Sequence, residues 1–371
     1  MSTNKTLLTK TSNSIKSYTL HCVINLHELH LSILQIKDTI NIIKHLTLYR
    51  VWNLFKLRVS YSISKLRKKD KHKGLPFSLS IEPTTACNLG CPECPSGLKQ
   101  FTRPTGKLDL WLHSKMLKEL NKSVFYINYY FQGEPFLHPQ FLELIKDAKK
   151  NKIYTATSTN AHFIDAKKAK EIVASGLDRL IISIDGLTQK TYENYRINGQ
   201  LEKVIQGTEL LIEAKKQLKS STPHLIFQFL AVKPNEHEVD DVFVLGKKME
   251  IDEVRIKSAQ LYDFKNGNPL MPENEKYSRY KLQKDGTYKL KYKTGNHCWR
   301  MWSSSVLTWD GKIVPCCFDK DAKHVLGSIV EKSFVNSWKS SEYSAFRQAV
   351  ISGRNEIDIC KNCSEGAKVW V

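Results

Sequence analysis

Between Phe77 and Gln260 six short apolar runs alternate with charged stretches of helical spacing, and this rhythm leaves few folds open. The runs are "FSLSIEP" (77–83), "VFYINYYF" (124–131), "IYTATSTN" (153–160), "RLIISIDG" (179–186), "LIFQFLAV" (225–232) and "VRIKSAQ" (254–260). Helical stretches near 139–151, 165–175, 201–218 and 236–249 fall between them. Strands that alternate with helices read as βαβ units, which must pair in parallel. Six of them predict an α/β fold with an open or closed barrel. Functional residues of such a barrel gather where its strands end. The first strand delivers Cys87, Cys91 and Cys94, and the second delivers Gln132-Gly-Glu-Pro135. The third delivers Ser158-Thr-Asn160, and the fourth Ser183 and Asp185. All four sets are expected at one mouth.

The chain has nine cysteines among 371 residues. A random scatter would produce the spacing Cys87, Cys91, Cys94 only roughly 0.005 times. A metal or cluster site, a redox pair and a disulfide staple remain. Cys22 stands alone, and the other eight fall within 87–94 and 298–363, too few and too uneven for a disulfide scaffold. Clustered thiols in a chain whose first twenty residues show no export signal point to reduced metal ligands in the cytoplasm. Three thiolates can hold three irons of a [4Fe–4S] cube and leave the fourth open to a chelating ligand. A closed zinc site would need a fourth ligand, and the next candidate, His113, lies on an apparent helix.

Charge is uneven. Residues 1–74 hold 14 Lys/Arg against Glu28, Asp38 and Asp70, or +11 of the total +20. Ile33, Ile36, Ile40 and Ile43 share one helical stripe, followed by Val51, Leu54, Phe55 and Val59. A helical cap on the main domain and a basic surface at the inner, anionic face of a membrane are both consistent with this pattern. Nucleic acid is disfavoured, because neither a binding motif nor interleaved aromatics accompany the charge. No run of about 18 apolar residues predicts a membrane-spanning helix. Polar composition around 262–296 marks a boundary, so the expected organisation is 1–74, 75–262 and 263–371.

The CxxxCxxC loop after a first strand, the "GEP" after the second and the Ser/Asp pair of the fourth resemble the radical S-adenosylmethionine (SAM) superfamily over about 77–260. The resemblance implies a partial (β/α)₆ TIM-like barrel in which SAM chelates the open iron. Reduction then cleaves SAM to methionine and a 5′-deoxyadenosyl radical that takes hydrogen from a substrate. It implies that Gln132, Gly133, Glu134 and Pro135 form the turn that binds the SAM ammonium, with Gln132 in place of the usual glycine. It implies further that Asn160, Ser183 and Asp185 contact ribose or methionine and that Arg196 lies near the SAM carboxylate. Glu93 stands where the family carries an aromatic residue. A reductant such as flavodoxin or ferredoxin is the implied partner.

Cys298, the Gly311-x₄-Cys316 spacing and the later "CKNC" (Cys360, Cys363) resemble the SPASM/twitch extension of the same superfamily. No cysteine follows Cys363, so one auxiliary [4Fe–4S] cluster held by Cys298, Cys316, Cys360 and Cys363 is expected in a small C-terminal domain. A Cys₄ zinc is the plainer alternative. The glycine spacing selects Cys316 over its neighbour Cys317. A fully ligated cluster carries electrons, which suits oxidation or dehydrogenation of a small or lipid-linked polar molecule. Peptide or protein maturation also fits, although residues 1–74 show no peptide-binding pattern. An electron carrier would not need the Glu134 turn. No catalytic base is legible, and Lys257, Tyr262 and Arg300 are candidates by position alone.

Overall fold

The computed structural model describes residues 35–292 and 294–365. Cys22, Ile33 and the remainder of 1–34 lie outside the described residues. Six strands stand side by side in chain order: β1 (Ser78–Ile81), β2 (Tyr126–Asn128), β3 (Tyr154–Thr159), β4 (Arg179–Ser183), β5 (His224–Ala231) and β6 (Glu253–Ser258). Every neighbouring pair among them is parallel. The sequence runs expected as strands and the observed strands coincide in all six cases. The four helices expected between them are present as Phe141–Lys150, Ala166–Ala174, Leu201–Gln217 and Val239–Lys248.

This is the expected α/β partial barrel. Its strands β3 and β4 are almost wholly buried, as a parallel sheet flanked by helices requires, while β2 and β6 keep partly open positions. The core forms where Leu79, Ile127, Leu180, Leu225 and Ile256 of the strands meet Leu144, Ile172, Leu211 and Val242 of the helices.

The sheet does not end at β1. A hairpin, β7 (Tyr280–Leu282) and β8 (Tyr288–Leu290), stands apart, and then β9 (Ser304–Leu307) pairs in parallel with β1. β10 (Lys312–Val314) and β11 (Gly327–Ser328) extend it antiparallel. The C-terminal segment therefore continues the barrel sheet, with β6 at one edge and β11 at the other. Helix Ser341–Gly353 follows and leads to the last two cysteines.

Residues 35–44 form a separate helical stretch in which Ile36, Ile40 and Ile43 are exposed. Helix Leu48–Arg67 begins at a Thr47 cap and buries Arg50, Asn53, Leu57, Ser60 and Ser64. Its inward face is thus mainly polar. Arg50 donates to four carbonyls, those of His45, Asn121, Asn151 and Lys152, at 2.6–3.1 Å. Two of these carbonyls belong to the residues that close helices Leu110–Leu120 and Phe141–Lys150, where negative dipole ends favour a guanidinium. Asn53 exchanges two hydrogen bonds with the backbone of Leu75. No described helix is long and apolar enough to cross a membrane.

Candidate functional site

The loop after β1 is held from several sides. Glu82, fully buried at the strand's end, accepts two hydrogen bonds from Arg103 at 2.6 and 2.9 Å and a third from the Trp309 amide. Burial raises the Glu82 carboxyl above its ordinary range while Arg103 opposes the rise, so the pair fixes the loop base to the segment after β9. The Gly90 amide donates to Ile197 O, and the Cys94 amide to Cys91 O. Gly97, in the helical turn Pro95–Leu98, packs so close that a Cβ would stand 2.6 Å from the Cys91 nitrogen.

Cys87, Cys91 and Cys94 line a cavity of about 240 Å³. Gln132, Gly133, Glu134, Asn160, Ser183 and Arg196 line the same cavity, so six of the eight residues expected to bind SAM are brought to the three thiols. The other two stand behind it. Pro135 opens a short 3₁₀ turn, and buried Asp185 accepts from Arg196 Nε at 2.5 Å and from the Leu230 amide at 2.7 Å. Asp185 thereby aims Arg196, whose Nη1 reaches to 3.7 Å from Cys91 Sγ.

Gly133 has φ +75°, and a Cβ there would lie 2.2 Å from Thr84 O. Only glycine lets the β2 turn touch the cysteine loop this closely. Glu134 accepts from Thr159 Oγ1, the Asn160 amide and the Phe136 amide at 2.7–3.1 Å. Its carboxylate therefore ties the ends of β2 and β3 together. Burial lifts it to about 7 against those three donors. Asn160 reaches back to Asn88 in the cysteine loop at 2.7 Å. Glu93 accepts from the Tyr262 amide and from Asn268, joining the loop to the chain beyond β6.

The eight described cysteines are all free of disulfides, which removes the staple. His113 is not a ligand candidate either: its ring nitrogens meet Tyr129 OH at 2.8 Å and Asp147 at 3.2 Å within the core. Among the described residues no group of three His, Cys, Asp or Glu converges as ligands of one metal ion would. A cube of four irons takes its thiolates at separate corners, so the donor set fits a cluster. Burial pushes Cys87 up to about 11, with Glu134, Cys91 and Cys94 adding to the rise. Such a thiol ionises only when iron replaces its proton.

At the second cysteine group, Cys298 precedes a helical turn, Trp299–Ser303, and Cys360 and Cys363 follow helix Ser341–Gly353. Burial raises Cys298 and Cys360 to about 11, and Cys363 adds to both. Cys316 is raised by burial and by Cys317, Cys298 and Cys363. Cys317 instead lies against Phe131, Val306 and Val314 and acts on Tyr130, Lys257 and Arg300. Cys316 thus lies among the other thiols and Cys317 nearer the three-thiol cavity, while Arg300 is within reach of both.

Two residues were not singled out by motif as parts of either centre. Arg354 donates from Nη2 to Cys363 Sγ at 3.2 Å and from Nη1 to His297 O, and its charge opposes the rise at all three neighbouring thiols. Its only sequence signal is an arginine six residues before "CKNC". Glu82 likewise lacks a signal beyond an acid at a strand end. Of the three positional candidates for a base, Lys257 lines the three-thiol cavity, Tyr262 lies at a separate, neighbouring one, and Arg300 is paired with Glu365 at 3.0 Å.

Comparison with known proteins agrees with this geometry. Residues 81–230 match the radical SAM superfamily model, and residues 298–364 match SPASM, an iron–sulfur cluster-binding domain. The chain is 25% identical over 315 residues to a tungsten-containing aldehyde ferredoxin oxidoreductase cofactor-modifying protein of Pyrococcus furiosus, covering 77% of this chain and 86% of that one. It is 21% identical to the SAM-dependent 2-deoxy-scyllo-inosamine dehydrogenase of Niallia circulans, with 77% and 92% covered. PqqA peptide cyclase of Gluconobacter oxydans is 25% identical over 54% of each chain, so this chain matches about half the length of that relative. Among solved structures, Streptococcus suis SuiB bound to its precursor peptide SuiA superposes with a TM-score of 0.58 at 16% identity, over 84% of this chain and 75% of that one. BtrN in complex with AdoMet and 2-DOIA superposes with a TM-score of 0.50 at 17% identity, over 79% and 94%. The chain belongs to the radical SAM superfamily, as an enzyme whose barrel takes a [4Fe–4S] cluster with SAM and whose C-terminal SPASM domain takes auxiliary iron–sulfur.

Proposed function

We propose that this enzyme oxidises a polar small or lipid-linked molecule by two electrons, with Lys257 as the proton acceptor. Such an oxidation removes one hydrogen atom, one proton and one electron. Cys87, Cys91 and Cys94 would hold the SAM-bearing cluster, which would supply hydrogen-atom abstraction, and Cys298, Cys316, Cys360 and Cys363 would hold one auxiliary cluster, which would supply the electron acceptor. The chain's own residues position and deprotonate. Gly133 and Glu134 would form the ammonium pocket, Arg196 would face the SAM carboxylate, and Asn160 and Ser183 would meet the sugar or methionine.

The observation that carries the reading is Lys257, which lines the three-thiol cavity while sensing Cys317, the neighbour of Cys316. Burial, aided by Arg279, lowers its ammonium to about 8. A lysine so lowered can act as a base near neutral pH. Two relatives matched over three quarters or more of both chains are named for cofactor modification and inosamine dehydrogenation, which supports a small substrate. Peptide modification is the second reading, supported by the PqqA cyclase match and the SuiB likeness. Flavodoxin or ferredoxin is the proposed reductant.

The test measures 5′-deoxyadenosine release by reconstituted enzyme on adding either the small-molecule or the peptide fraction of a host extract. Stimulation by the small-molecule fraction, rising with pH through about 8 as Lys257 loses its proton, is expected. Lys257→Met should keep substrate-free SAM cleavage and lose product formation. Stimulation by peptides alone would transfer the proposal to the second reading, and undiminished product from Lys257→Met would remove the base.

A further inference from the structure

Helix Leu48–Arg67 is mounted with its apolar side outward. Its inner face is fixed by hydrogen bonds that apolar side chains cannot make: Arg50 donates to four carbonyls, Asn53 bonds the backbone of Leu75, Ser60 donates to Lys73 O, and Ser64 Oγ accepts from the Lys71 amide. Tyr61 adds a hydrogen bond to His297. A helix turning about 100° per residue then places Val51, Trp52, Phe55, Val59, Ile63 and Leu66 within about 60° of one line. Those six side chains are 40–84% exposed. Trp52 and Phe55 stack on each other at 5.4 Å, so the stripe is continuous at its centre. A helix on a globular protein ordinarily turns such a stripe toward the core.

Cations edge the stripe on both sides. Lys56 and Arg67 lie along one border, and Lys65 and Arg58, the latter stacked over the Trp299 ring at 3.7 Å, along the other, each about 80–100° from the centre line. From Leu48 to Lys73 the chain has nine Lys or Arg and a single acid, Asp70. We infer that this face docks on an anionic lipid bilayer, the helix lying in the plane of the surface. Its six apolar side chains would enter the boundary between head groups and acyl chains, and both basic borders would meet lipid phosphates. A second copy is a poor occupant: pairing this helix with itself sets Lys56, Arg58, Lys65 and Arg67 against like charges with no acidic border to answer them. The inference does not depend on which substrate the barrel takes.

The experiment sediments the full, cluster-reconstituted chain with vesicles of phosphatidylcholine alone or with about one third phosphatidylglycerol. Binding to the anionic vesicles, weakened severalfold between about 0.1 and 0.5 M salt, is expected. Phe55→Glu with Val59→Glu should weaken it about tenfold or more, and Lys56→Glu with Lys65→Glu should reduce the preference for anionic lipid severalfold. All four side chains lie off the buried face, so Tm and iron–sulfur absorbance should hold. If the acidic pair lowers Tm, Phe55→Ser carries the same test. Wild-type protein that stays in the supernatant, or equal binding by the acidic pair, would overturn the inference. So would a dimer in sedimentation equilibrium that the acidic pair dissolves, because the occupant would then be a second copy.

Discussion

Replacing Gly133 by alanine probes the point where the β2 turn and the cysteine loop touch. Two separable costs follow from the structure. An L-residue at φ +75° costs about 1–2 kcal/mol. The new methyl would also stand 2.2 Å from Thr84 O and 2.9 Å from Ala86 O, both backbone atoms. Relieving the first contact takes a shift of roughly 1 Å, and overpacking of this kind adds about 1–3 kcal/mol. Gly286 supplies the control, since its φ is +78° and a Cβ there meets nothing within 4 Å. Gly286→Ala should show the backbone cost alone, about 1–2 kcal/mol. Gly133→Ala should reach about 2–5 kcal/mol. The displacement falls on Glu134, whose amide bonds Ala86 O at 2.7 Å and whose carboxylate holds the end of β3. SAM affinity by equilibrium dialysis should therefore drop about tenfold or more in Gly133→Ala and stay unchanged in Gly286→Ala. Equal losses of stability in the two variants, with SAM affinity intact in both, would refute the reasoning.

Two further outcomes are expected. Cys316→Ala should cut iron from about eight to about four per chain, while Cys317→Ala keeps both cubes; iron assay reads the difference, and the reverse pattern would reassign the ligand. His72 is bonded to Trp302 O at 3.0 Å, and burial, with Arg347 adding repulsion, pushes it from 6.5 down to about 3. Because its folded form binds a proton less readily than the unfolded chain, stability is full above about pH 6.5 and falls as pH drops toward 3. Wild type should lose on the order of 2 kcal/mol more than His72→Gln between pH 7 and pH 5 in urea unfolding; parallel losses would discount the titration.

Much of this molecule was readable because its signals are local. Each barrel strand is a run of apolar residues bounded by turns, and Cys87, Cys91 and Cys94 sit on one short loop, so spacing alone brought them together. Long-range pairings left no such mark. β9 lies beside β1 across more than two hundred residues, and nothing in "SSVL" announces a parallel partner rather than a local hairpin. The periodicity of helix Leu48–Arg67 gave a stripe but not the side it faces. That side was decided by carbonyls of Asn121, Asn151 and Lys152, which exist as a group only in the folded chain. His113 resembled a ligand until Tyr129 and Asp147 engaged both its nitrogens. Asp185 and Arg196 were legible by resemblance, yet their ion pair, which makes one the support of the other, is a tertiary fact.

The most direct measurement of the central claim is anaerobic release of 5′-deoxyadenosine and methionine from SAM by reconstituted protein and a strong reductant. Wild type should release both without added substrate. The triple variant Cys87→Ala, Cys91→Ala, Cys94→Ala should release neither while retaining about four irons at the second cysteine group. Release that persists in the triple variant would contradict the assignment of the SAM-bearing cluster to these three cysteines.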